Sequence, residues 1–228
     1  MKLTRILSIV ANTVITVAAV LYLALEPRFG ALSVVKRSIA ERTLEKRAAE
    51  QWAQLRKGQA RLGHPDGDVV LVEFVDYECP YCRLAHQEVL DMLTENADAG
   101  VVFIHFPIGA IHPNAVLGAR MAVCSEAEGR FDSMHHLLMT TNSWREGLTV
   151  DEVAVQAGLI DPQAFSECVE SVETTERLAE DRRLATSLGI TGTPTWIGGR
   201  GVKSGFASRV ELGELLERPA QLPASIGC

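Results

Sequence analysis

The longest apolar stretch of the chain is "ILSIVANTVITVAAVLYLAL", Ile6–Leu25, in which twenty consecutive residues carry no charge. That is about the length an α-helix needs to cross the hydrocarbon core of a bilayer. A secretory signal has a shorter apolar region that ends at small residues of the A-x-A type, which Ala18, Ala19 and Ala24 do not form. A buried core helix would be expected to show a polar face. Residues 1–25 are therefore predicted to be an uncleaved transmembrane anchor.

Charged residues dominate the following segment, 26–62. Its stretch Leu32–Leu62 lacks proline and is predicted to be a helix, in which only a few residues could form a thin apolar seam: Val35, Ile39, Trp52 and Leu55. The pattern favours a solvated helical stem. A dimer seam, or a surface that lies on anionic lipid headgroups, are the alternatives.

A turn-forming stretch, "GHPDGD" at Gly63–Asp68, marks the predicted start of the main domain. The apolar run Val69–Val75 behind it predicts a buried strand. Apolar residues then recur at helical spacing, at Cys82, Ala85, Val89 and Leu93. Because proline is favoured at the first position of a helix, Pro80 predicts that Cys79 is the N-cap and that Cys82 lies in the first turn.

Helical patterns fill much of the chain from about 110 to 188. They predict helices at Asn114–Glu128, Phe131–Thr141, Thr149–Ala157 and Asp161–Ser171, and a longer one to about Leu188. Thr149 and Asp161 are typical N-caps, and Gly158 and Gly189 typical stop signals. An apolar stretch, "ITGTPTWIGG" at Ile190–Gly199, follows and resumes strand-like composition.

The net charge of −7 argues against nucleic acid as the main partner, and it is unevenly distributed. Residues 26–62 hold nine Lys or Arg against four Asp or Glu, whereas the chain from Gly63 onward holds eleven against twenty-five. Basic residues flank the predicted anchor on both sides, so the positive-inside rule leaves its orientation nearly balanced. The cysteine chemistry has to decide the orientation.

Cys79 and Cys82 can be a structural crosslink, half of a zinc site or a redox centre. A disulfide between them closes too small a loop to constrain the fold. Zinc needs two more ligands at usable spacing, and the other cysteines are isolated in the sequence. A helix N-terminus stabilises a thiolate and lowers its pKa, so the placement of Cys79 favours a redox centre.

The motifs "VEFVDYECPYC" and "GTPT" resemble those of the DsbA-like thiol–disulfide oxidoreductases of the thioredoxin superfamily. "FPIGAIHPNA" and "GRFDSMHHLL" resemble the helical insertion of that family, and the likeness covers roughly Gly63–Arg218. Glutaredoxins also carry "CPYC", but their proline loop lies much nearer the motif than Pro194 lies to Cys82.

The resemblance implies a role for each motif residue. Cys79 would be the attacking thiol and Cys82 the resolving thiol, with a cis-proline loop at Thr193–Pro194 beside them. Glu73 would be a buried carboxylate that assists proton transfer; its alternative is an outward position on the strand. The substrate-binding surface would comprise Pro80, Tyr81, Thr193 and Pro194.

Two further cysteines, Cys124 and Cys168, lie on the apolar faces of their predicted helices. Reduced core thiols are the simplest interpretation. The resemblance implies a structural disulfide between them in an oxidising compartment. Cys228 ends a proline-rich tail, 219–228, and receives no role.

The expected architecture is of the α/β class: a thioredoxin fold at 63–218 with a helical insertion at about 110–188, preceded by the anchor and the stem. The expected activity is extracytoplasmic exchange of a Cys79–Cys82 disulfide with protein substrates, as a dithiol oxidase, with no cofactor and no metal. The chain would sit in the cytoplasmic membrane facing the periplasm, beside a membrane-bound redox partner. A reductase or isomerase of the same fold and a non-enzymatic binding module are the alternatives.

Overall fold

The computed structural model describes residues 38–57, 60–64 and 69–216. The chain divides into two units, Met1–Thr43 and Leu44–Cys228, and the account below concerns the second. The predicted anchor Ile6–Leu25 and the tail 219–228 lie outside the described residues. Within the described ranges, no helix combines the length and the apolar character that crossing a membrane requires.

Both strands and helices occur towards each end of the described chain, and helices alone fill its middle. The elements are α1 (38–55), β1 (Arg61–Gly63), β2 (Val69–Val75), α2 (Pro80–Glu95), β3 (Ala99–His105), α3 (Ala115–Glu126), α4 (Phe131–Thr140), α5 (Ser143–Glu146), α6 (Val150–Gln156), α7 (Pro162–Glu170), α8 (Val172–Leu188), β4 (Thr195–Gly198), β5 (Gly201–Ser204) and α9 (Arg209–Leu216).

The described strands form one mixed sheet in the order β1-β3-β2-β4-β5, and among them only β2 and β3 run parallel. Successive side chains of the central strand β2 point to opposite faces of the sheet and so into two different cores. Leu71 and Val75 belong to one core cluster, and Val70, Val72 and Phe74 to the other. Glu73 shares the parity of Leu71 and Val75, so its side chain points into the first core.

The predicted stem helix differs from the structure at its C-terminal end. Residues 38–55 are helical, but Arg61–Gly63 form an edge strand that pairs antiparallel with β3. Leu55 is fully buried, and Trp52 packs against the same core cluster. This end of the segment is therefore part of the sheet domain and not a solvated stalk, because its apolar residues cover one face of the sheet.

Six helices, α3 to α8, lie between β3 and β4, where the sequence predicts a helical insertion. Thr149 forms a capping box with Glu152, and Gly189 ends α8 with a left-handed backbone, so the capping predictions at these two residues are confirmed. The short helix α5 was not predicted. Its Trp144 is buried and donates from Nε1 to the Leu138 carbonyl at 3.0 Å, which fixes α5 against α4.

A disulfide joins Cys124 of α3 to Cys168 of α7, with their Cα atoms 5.9 Å apart and a sequence separation of 44. Both side chains lie in the hydrophobic core or against it. The crosslink therefore holds together two helices of the segment between β3 and β4.

Removing this disulfide should destabilise the protein. In a background of Cys79→Ser and Cys82→Ser, replacing Cys124 and Cys168 by alanine should lower the free energy of unfolding by about 2–4 kcal/mol, the usual scale for such a crosslink. Chemical denaturation measures this loss, and alkylation after acid trapping counts the thiols. The pairing would be refuted if both cysteines were labelled freely in the unreduced background protein.

Candidate active site

The two cysteines of the CxxC motif lie at the N-terminus of α2, as the sequence predicts. Cys79 is the N-cap, with extended backbone angles, and Pro80 occupies the first turn. Cys82 lies one turn further on and is 1% exposed, against 4% for Cys79. Both are free thiols in this structure. Tyr81 between them is 59% exposed, so solvent and partners reach the motif at that residue.

The loop before β4 covers the sulfur of Cys79. Its Thr193–Pro194 peptide bond is cis. Antiparallel pairing of β4 with β2 sets Thr195 opposite Phe74, which brings the loop beside the end of β2 from which the motif emerges. In the thiol form the sulfur of Cys79 donates to the Thr193 carbonyl at 3.3 Å. The side-chain oxygen of Thr193 is buried without a hydrogen-bond partner among the described residues, so it is free to donate to a thiolate.

Hydrogen-bond donors around Cys79 lower its pKa to about 5. The largest contribution is the Cys82 thiol, followed, against the opposing effect of burial, by the Thr193 side chain and the backbone amides of Cys82 and Tyr81. Each of these donors stabilises the thiolate and not the thiol. At neutral pH Cys79 is therefore an anion and a nucleophile.

Cys82 has the opposite character. Burial is the largest cause that raises its pKa well above the ordinary value, and the hydrogen bond that it gives to Cys79 adds to this. Its single S–H lies between two acceptors, the sulfur of Cys79 and the carboxyl group of Glu73. Cys82 therefore stays protonated while Cys79 is ionised.

Glu73 is buried in the centre of β2, with Phe103 and Trp196 as its neighbours on the two flanking strands. This apolar setting desolvates the carboxyl group and raises its pKa well above the ordinary value, and the charge of Cys79 raises it further. One oxygen, Oε1, has no hydrogen-bond partner among the described residues. The alternative that Glu73 points outward is excluded, and the side chain can hold a proton beside Cys82.

Two carboxylates of the turn between β2 and α2 belong to the site, although no sequence pattern predicted them. Asp76 and Glu78 are buried and accept hydrogen bonds from the β3–α3 loop, at His112 and Asn114. Behind the turn, Tyr77 shares a hydrogen bond of 3.1 Å with His135. The partners lie 36 and 58 residues apart in the sequence, so no local pattern could predict these contacts.

Comparison with known proteins identifies the family. A family model described as Thioredoxin matches residues 55–215, and the chain belongs to this family. A thioredoxin-like oxidoreductase from Silicibacter pomeroyi is 30% identical, with a TM-score of 0.58 over 68% of this chain and 88% of its own. A periplasmic thioredoxin-like protein from Salmonella enterica is 25% identical, with a TM-score of 0.59 over 72% and 92%.

Curated proteins of two kinds are similar to the chain. Disulfide bond formation protein D of Bacillus subtilis is 26% identical over 174 residues, which are 71% of this chain and 77% of that protein. A Na(+)/H(+) antiporter NhaA 3 of Salinispora tropica is 30% identical over 134 residues, and this chain spans about 20% of its length. Together the comparisons confirm the resemblance to DsbA-like proteins and the class of thiol–disulfide oxidoreductases.

The two thiols should differ in reactivity. At about pH 6, alkylation of the reduced protein should label Cys79 well before Cys82, and the rate against pH should rise with a midpoint near the pKa of Cys79, about 5. Mass spectrometry of a Cys228→Ser variant follows the two sites without background. Equal labelling, or a midpoint near 8.5 as in a free thiol, would contradict the geometry described above.

Replacing Glu73 by glutamine should slow thiol–disulfide exchange and, above a certain pH, stabilise the fold. Gln cannot hold the proton, so the release or attack of Cys82 should slow roughly a hundredfold. Folding raises the pKa of Glu73. The contribution of this carboxyl group to the free energy of unfolding is therefore complete at pH values below its ordinary pKa and is lost as the pH rises. The variant should therefore gain stability relative to the wild type as pH rises above about 4.5.

Stopped-flow exchange and denaturation at several pH values measure both effects. The exposed Glu214, replaced by glutamine, is the matched control. An unchanged rate of exchange would refute the assignment of Glu73 to proton transfer.

Proposed function

We propose that this chain is an extracytoplasmic thiol–disulfide oxidoreductase that passes a Cys79–Cys82 disulfide to protein substrates. The observation that carries the proposal is the asymmetry of the pair: the pKa of Cys79 is lowered to about 5, while that of Cys82 is raised. An asymmetric pair has one good nucleophile and leaving group, Cys79, and one thiol that acts only within the site.

The reaction proceeds in two exchanges. A substrate thiolate attacks the sulfur of Cys79 in the disulfide, the Cys79–Cys82 bond breaks, and Cys82 leaves as a thiolate. A second substrate thiolate then attacks the substrate sulfur of the mixed disulfide, and Cys79 leaves as a thiolate. The substrate loses two electrons and gains a disulfide, and the protein gains the two electrons as a dithiol.

Glu73 supplies the proton that the first exchange needs. Cys82 becomes a thiolate in a buried site, where burial strongly disfavours the charge. The carboxyl group of Glu73 lies within hydrogen-bond reach and holds a proton because its own pKa is raised. Transfer of that proton neutralises Cys82, and the ionised Glu73 must be reprotonated before the next turnover.

The direction of exchange follows from the stability of the Cys79 thiolate. Donors that stabilise the thiolate stabilise the reduced protein, so its disulfide is readily reduced and the protein oxidises its partners. A pKa of about 5 lies between the values of about 7 for thioredoxin, a reductant, and about 3.5 for DsbA, a strong oxidant. This position favours the oxidase, with a reductase or isomerase as the alternative direction.

Protein substrates fit the surroundings of the motif. Three apolar side chains are exposed near it, at Tyr81, Leu84 and Phe206. Tyr81 and Leu84 belong to the first turns of α2. Phe206 follows Gly205, whose amide donates to the Pro194 carbonyl at 2.7 Å. Apolar surface beside a reactive thiol suits reduced, incompletely folded chains, which expose apolar segments.

The proposed location is the outer face of the cytoplasmic membrane. The disulfide between Cys124 and Cys168 supports an oxidising compartment, and the similar Salmonella protein is described as periplasmic. The uncharged run Ile6–Leu25 is proposed to anchor the chain. An anchor would hold the domain near a membrane-bound redox partner that reoxidises Cys79 and Cys82.

The oxidase assignment is tested by the redox state of the pair. Acid trapping in growing cells should find Cys79 and Cys82 mostly as a disulfide, and equilibration with glutathione should give a potential well above that of thioredoxin. A variant with Cys82→Ser cannot form this disulfide and should lose the oxidase activity. A pair found mostly reduced in cells, with a potential near −270 mV, about that of thioredoxin, would establish the reductase instead.

A further inference from the structure

The turn that delivers the redox motif, residues 76–79, is tied by its carboxylates to the loop between β3 and α3. Asp76 accepts a hydrogen bond from His112 Nδ1 at 2.9 Å, and Glu78 accepts one from Asn114 Nδ2 at 3.0 Å. Two residues of the turn, at positions 76 and 78, therefore bind two residues of the "HPN" stretch, at positions 112 and 114. We call Asp76, Glu78, His112 and Asn114 the loop clamp.

Asp76 is the more deeply buried carboxylate of the clamp, and both of its oxygens are used. Oδ2 accepts from the Ile108 amide at 2.8 Å as well as from His112, and Oδ1 accepts from the Glu78 amide at 2.8 Å. A buried carboxylate is costly unless donors surround it. Asp76 therefore stays in place only while the turn and the β3–α3 loop keep their relative positions.

Glu78 adds a second attachment from the residue next to Cys79. Its carboxylate accepts the amide and the side chain of Asn114, the N-cap of α3, and lies 3.5 Å from Nη1 of Arg145. An anion is stabilised at the start of a helix. The same short turn thus brings the Glu78 carboxylate to the start of α3 and the Cys79 sulfur to the start of α2.

The backbone of Cys79 is held directly by this arrangement, since its amide donates to the Asp76 carbonyl at 3.1 Å. The sulfur of Cys79 depends on donors that come from α2 and from the Thr193 loop. Such hydrogen bonds weaken steeply when distance or angle changes. Small displacements of the turn would therefore change how well the sulfur meets its donors.

We propose that the loop clamp positions Cys79 for thiol–disulfide exchange, with Asp76 and His112 as positioning residues that never touch the substrate. The inference rests on the proposed function, in which Cys79 is the exchanging thiol. Positioning by the clamp and the negative charge of its carboxylates should have opposite effects on the pKa of Cys79. A negative charge opposes the formation of a second one nearby, so by charge alone the loss of either carboxylate would favour the thiolate.

Three variants distinguish the two effects. His112→Ala removes one donor to Asp76 and should raise the pKa of Cys79 and lower the equilibrium constant for its oxidation of glutathione roughly tenfold. His112→Asn should restore wild-type values, because the Asn Nδ2 can occupy the place of the ring Nδ1. Asp76→Asn should also raise the pKa of Cys79, although it removes a negative charge. Asp98→Asn, at an exposed carboxylate, should change nothing.

The pKa of Cys79 is measured by the ultraviolet absorbance of the thiolate, and the equilibrium constant by a glutathione series. If His112→Asn matched His112→Ala, or if Asp76→Asn lowered the pKa of Cys79, the clamp would act through charge and the proposal would be wrong. A fall in melting temperature with no change in either redox quantity would reduce the clamp to a structural role and would also refute it.

The experiment remains decisive if one variant misfolds. Should Asp76→Asn fail to fold, the two His112 variants carry the test, because the His112 side chain is partly exposed at 16% and tolerates replacement better. Failure of the wild-type protein to exchange with glutathione would refute the proposed function. The pKa of Cys79 requires no exchange, so it tests the clamp independently of that outcome.

Discussion

The site depends on where a single negative charge is held. Three acidic groups, Cys79, Cys82 and Glu73, share a buried space that accommodates one charge far better than two. The structure places that charge on Cys79, because the other donors of the site and the start of α2 face its sulfur. Burial keeps Cys82 and Glu73 neutral, and the charge of Cys79 adds to the effect for both. Nucleophile, resolving thiol and proton store are therefore defined by one distribution of charge.

The fold supplies this distribution through the sheet. Because side chains alternate in direction along β2, Glu73 points into the same core as Cys82. The flanking strands place Phe103 and Trp196 beside it. Trp196 donates its indole N–H to the Gly205 carbonyl and so offers no donor to Glu73. A buried acid is costly to ionise when so few donors face it. The strand order of the sheet is thus part of the chemistry, since it keeps the proton on Glu73.

Local signals in the sequence were sufficient to predict the redox pair, and insufficient for what surrounds it. Pro80 and the helical spacing behind it predicted the N-cap position of Cys79 because both signals lie within one helix. The edge strand Arg61–Gly63 and the helix Ser143–Glu146 are too short to show a period. Asp76 and His112 were missed for another reason. Each is an ordinary polar residue in its own segment, and only the parallel pairing of β2 with β3 brings their loops to the same edge of the sheet.

The segment between β3 and β4 also holds the turn that precedes the redox motif. It begins at the loop that holds Asp76 and Glu78, and it contributes Arg145 to Glu78 and His135 to Tyr77. Arg83 of α2 donates in turn to the carbonyls of Leu138 and Thr141. Every residue of the turn 76–78 thus has a partner in this segment, while the sulfur of Cys79 faces the Thr193 loop on the other side. Because the motif is fixed from both sides, the positions of the two thiols are set by contacts that substrates need not supply.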